Sequence, residues 1–411
     1  MVAIRLSCSV NNYHWGKQGL NSKAAQFAAT SNVTIDETKT YSELWMGTHP
    51  TGPSLVFGTE TPLSAIVDEN PRDALGEDIA KKFNNQLPFL FKVLSIDRAL
   101  SIQAHPDKAL AQKLHTERPN VYKDPNHKPE MSIALTDFVA MSGFRPLEQI
   151  AAFLENFPEF KALVTESADG FSAAAKSGDD TEKRKWLKAL FGELMGADEN
   201  EVKRQLDALL ERIGTEVGDL LDVSPESLVR RVSAEYPGDV GVFCVFMLNV
   251  LKLAPGDAFF MGPNDPHAYV FGDCVECMAT SDNVVRAGLT PKMRDVPVLV
   301  DMLTYDYGTP DAKLLKPVNF KGAAGHSVIY DPPIDEFSVV RTLLDAGQSE
   351  TVSGLAGPQI LLVVEGRGTL VDEDENHMLI PGAVYFVAPN SPITIFAKNS
   401  NLVIYTAMCL P

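Results

Sequence analysis

The sequence predicts a mainly β protein that carries an α-helical insertion, and three observations lead there. Residues 1–145 and 238–411 are written in short apolar or alternating runs punctuated by Gly, Pro, Asn and Asp, the pattern of strands and tight returns. Residues 147–232 instead repeat their apolar side chains at helical spacing. A thirteen-residue stretch starting at Pro255 recurs without gaps from Pro381, with six positions identical, which predicts two small antiparallel barrels of one kind.

Length and composition bound the rest. With 411 residues there is room for two or three domains, and 45% hydrophobic with 22% charged residues excludes a disordered or fibrous chain. The 36 basic and 54 acidic residues leave a net charge of −18, which argues against a nucleic-acid or anionic-membrane partner while permitting a local basic pocket. The most apolar stretch, residues 240–253, is interrupted by Asn249 and Lys252 and falls short of the roughly 20 apolar residues that span a bilayer. The N-terminus, with Asn11, Asn12 and His14, lacks the apolar core of a signal peptide. Five cysteines, an odd number, suit a reducing compartment, so a cytoplasmic protein is expected.

The elements follow in chain order. In residues 99–105, alternation places Leu100, Ile102 and Ala104 on one face and Ser101, Gln103 and His105 on the other. Pro106 ends that strand, and Asp107 caps a helix over residues 108–115. In residues 127–135, Met131, Ile133 and Leu135 form an apolar face while Lys128, Glu130 and Ser132 share the polar one; alone, Lys128 and Glu130 read equally well as a surface ion pair. Trp186, Leu187, Leu190, Phe191, Leu194 and Met195 make one helical stripe, and Val202, Leu206, Leu209, Leu210 and Ile213 another. Ser224 and Pro225 open a further helix as N-cap and first helical residue. In the repeated stretch a Pro-Gly turn feeds an aromatic strand and a Pro-Asn-x-Pro turn, and its last column sets His267 against Ile393. The first copy is therefore expected to hold the chemistry, with His267 and Tyr269 pointing the same way. Cys274 and Cys277 stand three apart in a strand, so they face opposite sides and read as buried thiols.

Zinc accepts imidazole nitrogen and carboxylate oxygen in a four-coordinate shell. His105, Glu130 and His267 offer three such groups from three strands, and the Gln103 carbonyl oxygen offers a fourth. Taken one at a time, each is equally a satisfied polar residue.

The blocks Leu44-Trp45-Met46-Gly47-Thr48-His49-Pro50, Gln103-Ala104-His105-Pro106-Asp107-Lys108 and His127-Lys128-Pro129-Glu130-Met131 occur in order, followed by Gly262-Pro263 with Pro266-His267-Ala268-Tyr269, and by Ser281 to Lys292. Together they resemble the signature blocks of the type I mannose-6-phosphate isomerase (phosphomannose isomerase) family. The resemblance implies a cupin fold of two jelly-roll β-barrels: a catalytic barrel from residues 1–146 plus 238–320, a helical insertion at 147–237 and a degenerate barrel at 321–411. It implies one Zn2+ per chain on Gln103, His105, Glu130 and His267, with Arg286 catalytic and Lys128 and Asp282 as further catalytic candidates. A phosphate inside so acidic a protein needs polar and cationic contacts, for which Ser101, Lys92, Lys292 and Arg286 are the candidates. Tyr269 and Glu276 complete the substrate-side set. The implied reaction interconverts mannose 6-phosphate and fructose 6-phosphate through an enediolate, feeding or draining GDP-mannose synthesis, in a monomer whose partner is a small sugar phosphate. The base stays open among Asp282, Lys128 and Glu276. Two other readings stand beside this one. A non-catalytic bicupin that binds sugar or metal would not require Arg286, Lys128 and Lys292 near the ligand. A metal-dependent oxygenase fits less well with Gln103 filling a fourth position.

Overall fold

In a computed structural model, which describes residues 3–373 and 375–411, the β-rich parts of the chain form two large antiparallel sheets that share one apolar layer. The first sheet has ten strands. Its path runs Leu248–Leu253, Phe138–Phe144, His267–Ala279, Phe89–Ile96, Glu43–Met46, Ser9–Asn11, and Ile102–Ala104, Val285–Gly288, Glu130–Ala134 and Ala258–Met261 attach beside it. The second sheet has eight strands, and a four-stranded sheet covers its outer side.

Burial on both faces explains the apolar character of Phe89–Ile96, which only Lys92 and Ser95 interrupt. Phe89, Phe91 and Val93 enter the layer shared with Ile360, Leu362, Val384 and Phe386 of the second sheet. Leu94 and Ile96 point into the first sheet's own interior beside Phe138, Phe259 and Tyr269. The first strand, Ala3–Ser7, crosses the division drawn from sequence: it pairs with Val384–Val387 on one side and Leu55–Val56 on the other, inside the second sheet.

Six helices, Leu147–Asn156, Pro158–Lys161, Ala168–Ala175, Asp180–Met195, Glu199–Ile213 and Pro225–Glu235, fill the insertion. Asp179, Asp198 and Ser224 cap the last three through their side chains. The predicted stripes bury Leu187, Leu190, Phe191 and Leu194 together with Val202, Leu206 and Leu209 in one cluster with Ile102, Ala104, Val285 and Ala287. The insertion therefore backs the strands that carry Gln103 and Arg286.

The internal echo is structural. Ala258–Met261 and Val384–Val387 are strands, and each leads to an asparagine in the left-handed region, Asn264 at φ 63° and Asn390 at φ 59°. Asparagine tolerates that conformation better than most side chains, which is why the Pro-Asn-x-Pro turn repeats. Among the described residues, no helix is long and apolar enough to cross a membrane. All five cysteines are free and buried, with Cys274 in the first sheet's interior and Cys277 in the shared layer, on opposite faces as expected.

Candidate metal centre and active site

The strand Ile102–Ala104 alternates as predicted: Ile102 and Ala104 pack toward the helices, and Gln103 faces the other way. Gln103 is directly paired with His267 on one side and with Arg286 on the other. Residues opposite one another in antiparallel strands share a face, so these three form one row. Beyond Ala104, the chain is held to the turn that precedes His267. Asn264 donates its backbone N–H to the His105 carbonyl at 2.7 Å, and its side chain exchanges two bonds with Asp107 at 3.1 and 2.9 Å. Asp107 in turn caps the helix Lys108–Glu117 by accepting from the Leu110 N–H.

His105, Glu130 and His267 each present a ligand atom, all within 4.8 Å of one another, and each residue is 1% exposed. Both imidazole Nε2 atoms approach the same carboxylate oxygen, Glu130 Oε2, at 3.4 Å from His105 and 3.3 Å from His267. Their Nδ1 atoms are committed elsewhere, to the carbonyls of Asn283 at 2.6 Å and Asp265 at 3.0 Å. A carbonyl can only accept, so Nδ1 carries a proton, and in a neutral imidazole this leaves the lone pair on Nε2. Burial pushes the His105 imidazole down to about 4, which leaves it neutral near pH 7. Burial pushes the Glu130 carboxyl up, but the Lys128 ammonium, the largest opposing influence, draws it well below the carboxylate range. The two Nε2 atoms and Glu130 Oε2 are buried without hydrogen-bond partners. Three inward lone pairs facing one another are repulsive, and a cation satisfies all of them at once, so the donor set fits a metal ion.

A second polar row lies across the same sheet. Register sets Phe259 opposite Ser132, Ser132 opposite Glu276, Glu276 opposite Lys92, and Lys92 opposite Trp45. Glu276 accepts from the Tyr269 hydroxyl at 2.6 Å and meets Lys92 Nζ at 3.4 Å; the Tyr269 hydroxyl also lies 2.7 Å from Ser132 Oγ. Trp45 donates its indole N–H to Glu43 at 2.5 Å, and Lys92 sits 5.0 Å from the Trp45 ring. Burial and the nearby Glu130 raise the Glu276 carboxyl against the opposing pull of Lys92. Burial lowers the Lys92 ammonium, but Glu43 and Glu276 reverse the direction and keep it protonated.

The other candidates stand around these rows. Lys128 Nζ lies 2.9 Å from Glu130 Oε1 with its side chain 11% exposed, a largely buried pair. Arg286 is partly buried and, among the described residues, enters no ion pair; burial lowers its guanidinium. Leu100 departs from the face expected for it, packing with Leu94 and Ile96 in the first sheet's interior and not with Ile102 and Ala104, because the regular strand begins only at Ile102. Ser101 is partly buried and Lys292 is exposed. Asp282 is turned to His49, with 3.6 Å between Oδ1 and Nε2, and its side chain is 69% exposed. That contact and the neighbouring cations hold its carboxyl low.

Sequence reasoning missed the residues that hold the loop before Arg286. Asp124 accepts from Ser281 Oγ at 2.9 Å and from the Asp282 N–H at 2.7 Å. The Asn283 amide donates to the carbonyls of Asp124 and Asn126 at 2.7 and 2.9 Å, which aims its own carbonyl at His105. The available signal was the Ser-Asp-Asn run itself, whose side chains habitually bond local backbone.

Known proteins share this architecture. Residues 3–147 match the phosphomannose isomerase type I catalytic domain, residues 163–248 its helical insertion domain and residues 327–371 its C-terminal part. The mannose-6-phosphate isomerase of Candida albicans is 45% identical, over 97% of this chain and 95% of its own. That of Schizosaccharomyces pombe is 44% identical, over 98% and 99%. Among solved structures, a mannose 6-phosphate isomerase bound with zinc and yttrium superposes with a TM-score of 0.85 at 31% identity, covering 100% of both chains. A mutant of phosphomannose isomerase from Salmonella typhimurium gives 0.86 at 30% identity, also covering 100% of both. At this identity and coverage the chain belongs to the type I phosphomannose isomerase family.

Proposed function

We propose that the protein is a zinc-dependent aldose–ketose isomerase that interconverts mannose 6-phosphate and fructose 6-phosphate, acting as a cytoplasmic monomer that supplies or drains GDP-mannose. The observation that carries this reading is the convergence of three buried, unpartnered donor atoms beside a cationic Arg286 that, among the described residues, no carboxylate neutralises. We assign the metal to His105, Glu130 and His267, with the Gln103 carbonyl as fourth donor, inside the first of two cupin-type jelly-roll barrels. When bound, zinc supplies Lewis-acid polarisation of the sugar's oxygens at the reacting carbons.

Moving a carbonyl between C1 and C2 requires removing a carbon-bound proton, holding an enediolate and returning the proton to the neighbouring carbon. Arg286 remains protonated and stabilises the oxyanion as it develops. Glu276 carries the proton: its carboxyl is raised by burial toward the range useful for a base, and Lys92 and Tyr269 fix both of its oxygens. Lys92, buried against Glu276 and Trp45, serves this row rather than the phosphate. Ser101 and Lys292 are assigned to the phosphate end, together with Arg286. Lys128 keeps Glu130 ionised, and Asp282 holds His49 at the rim.

The test is an anaerobic coupled assay for fructose 6-phosphate, run before chelation, after chelation and after zinc repletion. Turnover that needs no oxygen and returns with zinc supports isomerisation. A folded, zinc-loaded protein without turnover supports a sugar-binding bicupin instead.

A further inference from the structure

The turn that precedes the strand Ser338–Leu344 belongs to the C-terminal half of the chain, yet both of its carboxylates meet residues of the N-terminal half. Asp335 Oδ2 meets Lys82 Nζ at 3.1 Å, an exposed contact of the sort that contributes little. Glu336 Oε1 lies 2.5 Å from His127 Nε2, with side chains only 10% and 16% exposed. Burial raises the Glu336 carboxyl, but the His127 bond outweighs it and holds the group ionised.

His127 stands in the segment between the helix Lys108–Glu117 and the strand Glu130–Ala134, which has no ladder or helix of its own to fix it. Three of its residues bear on the site. Asp124 and Asn126 hold the loop whose Asn283 carbonyl orients His105, and Lys128, next to His127, is paired with Glu130. An irregular backbone is positioned by its side-chain bonds, and the Glu336 bond ties this segment to the turn before Ser338–Leu344.

We propose that Glu336 is a positioning residue for Lys128: through His127, the C-terminal half of the molecule holds the segment 124–130 so that the Lys128 ammonium stays on Glu130. This gives the second β unit, which lacks a histidine at Ile393, a part in the reaction, and it rests on the isomerase reading above.

The test uses full-length, zinc-loaded protein. Glu336→Ala is expected to lower kcat about tenfold with KM changed less than about twofold, since Lys128 acts on the site through its ion pair with Glu130 and not through a contact that binds the sugar. Zinc stays bound in the zinc-loaded protein, Tm falls by a few degrees because His127 loses a largely buried partner, and hydrogen exchange of the 124–130 amides becomes faster. Glu336→Gln, whose amide oxygen accepts the same bond from His127, recovers part of the loss. In a Lys128→Met background, Glu336→Ala causes no further loss, because the group it acts through is gone. The proposal is overturned by unchanged kcat in both Glu336 variants, by multiplicative loss in the Lys128→Met background, or by unchanged exchange at 124–130. A wild-type protein without turnover overturns the isomerase reading alone, since the exchange comparison tests the tether without any substrate.

Discussion

At the residue scale, the cluster of His105, Glu130 and His267 was legible because each member sits on a face that alternation defines. Gln103 and His105 oppose Ile102 and Ala104, Glu130 opposes Met131, and the structure keeps those faces. Tyr269 and Glu276 are the counterexample. A strict period of two along His267–Ala279 puts them on opposite sides, yet they are hydrogen-bonded at 2.6 Å. The pairing shifts register between Val139 and Ala140, and Gly272 turns the backbone at φ 114°, where an added Cβ would lie 2.5 Å from the Asp137 carbonyl oxygen. That bend resets the alternation, and only the neighbouring strand reveals it. Two substitutions separate the roles at the centre. His267→Ala removes a ligand and is expected to lose both bound zinc and activity, read by metal analysis and assay on one preparation. Arg286→Ala is expected to keep its zinc and lose about 10²–10³ in kcat, the usual cost of removing one donor to a developing oxyanion. Wild-type turnover in Arg286→Ala would sink the role given to that residue.

At the element scale, the helical insertion was readable from its stripes and caps, since amphipathic helices bury one face whatever they pack on. What they pack on was not readable: the same cluster takes in Ile102, Ala104, Val285 and Ala287, far away in sequence. The helix Lys108–Glu117 shows the opposite case, a local signal with a distant consequence. Asp107 was legible as its cap, but Asn264 uses the same carboxylate to join the end of the metal strand to the turn before His267. Asp107→Ala is expected to destabilise the fold by about 1 kcal/mol at neutral pH, the common cost of losing an N-cap. Urea unfolding measures it. The Leu110 N–H bond, with help from Asn264, lowers the Asp107 carboxyl. A depressed carboxylate stabilises the folded state above its unfolded value, near 3.9, and loses that contribution as pH falls through the lowered value. The gap between wild type and Asp107→Ala should therefore hold from neutral pH to about 4 and close below it. A gap that widens on acidification would contradict the capping account.

At the scale of the whole molecule, the repeat announced two β units, and the structure contains both copies of its turn. Nothing in the repeat announced that the first strand would lie in the far sheet, because strand pairing between chain ends leaves no local trace. Ala3–Ser7 is bonded on both edges, and Ile4 and Leu6 enter the layer shared by the two sheets. The C-terminal half is therefore a structural requirement of the first sheet as well as, through Glu336, a support for its site. A chain cut after residue 320 would leave Ala3–Ser7 without Val384–Val387 and would uncover Phe91, Val93, Met131, Ile133 and Val275. At about 1.5–3 kcal/mol per side chain returned to water, five such residues cost on the order of 10 kcal/mol. That equals the entire stability of an ordinary domain, roughly 5–15 kcal/mol. The fragment 1–320 is expected to be insoluble, or to bind a hydrophobic dye without a cooperative thermal transition. Supplying residues 321–411 as a separate chain during refolding should restore both the transition and zinc binding, because the interface lost is a sheet edge and an apolar layer rather than a covalent link. A soluble 1–320 fragment that melts cooperatively and binds zinc unaided would show that the shared layer is dispensable to the site.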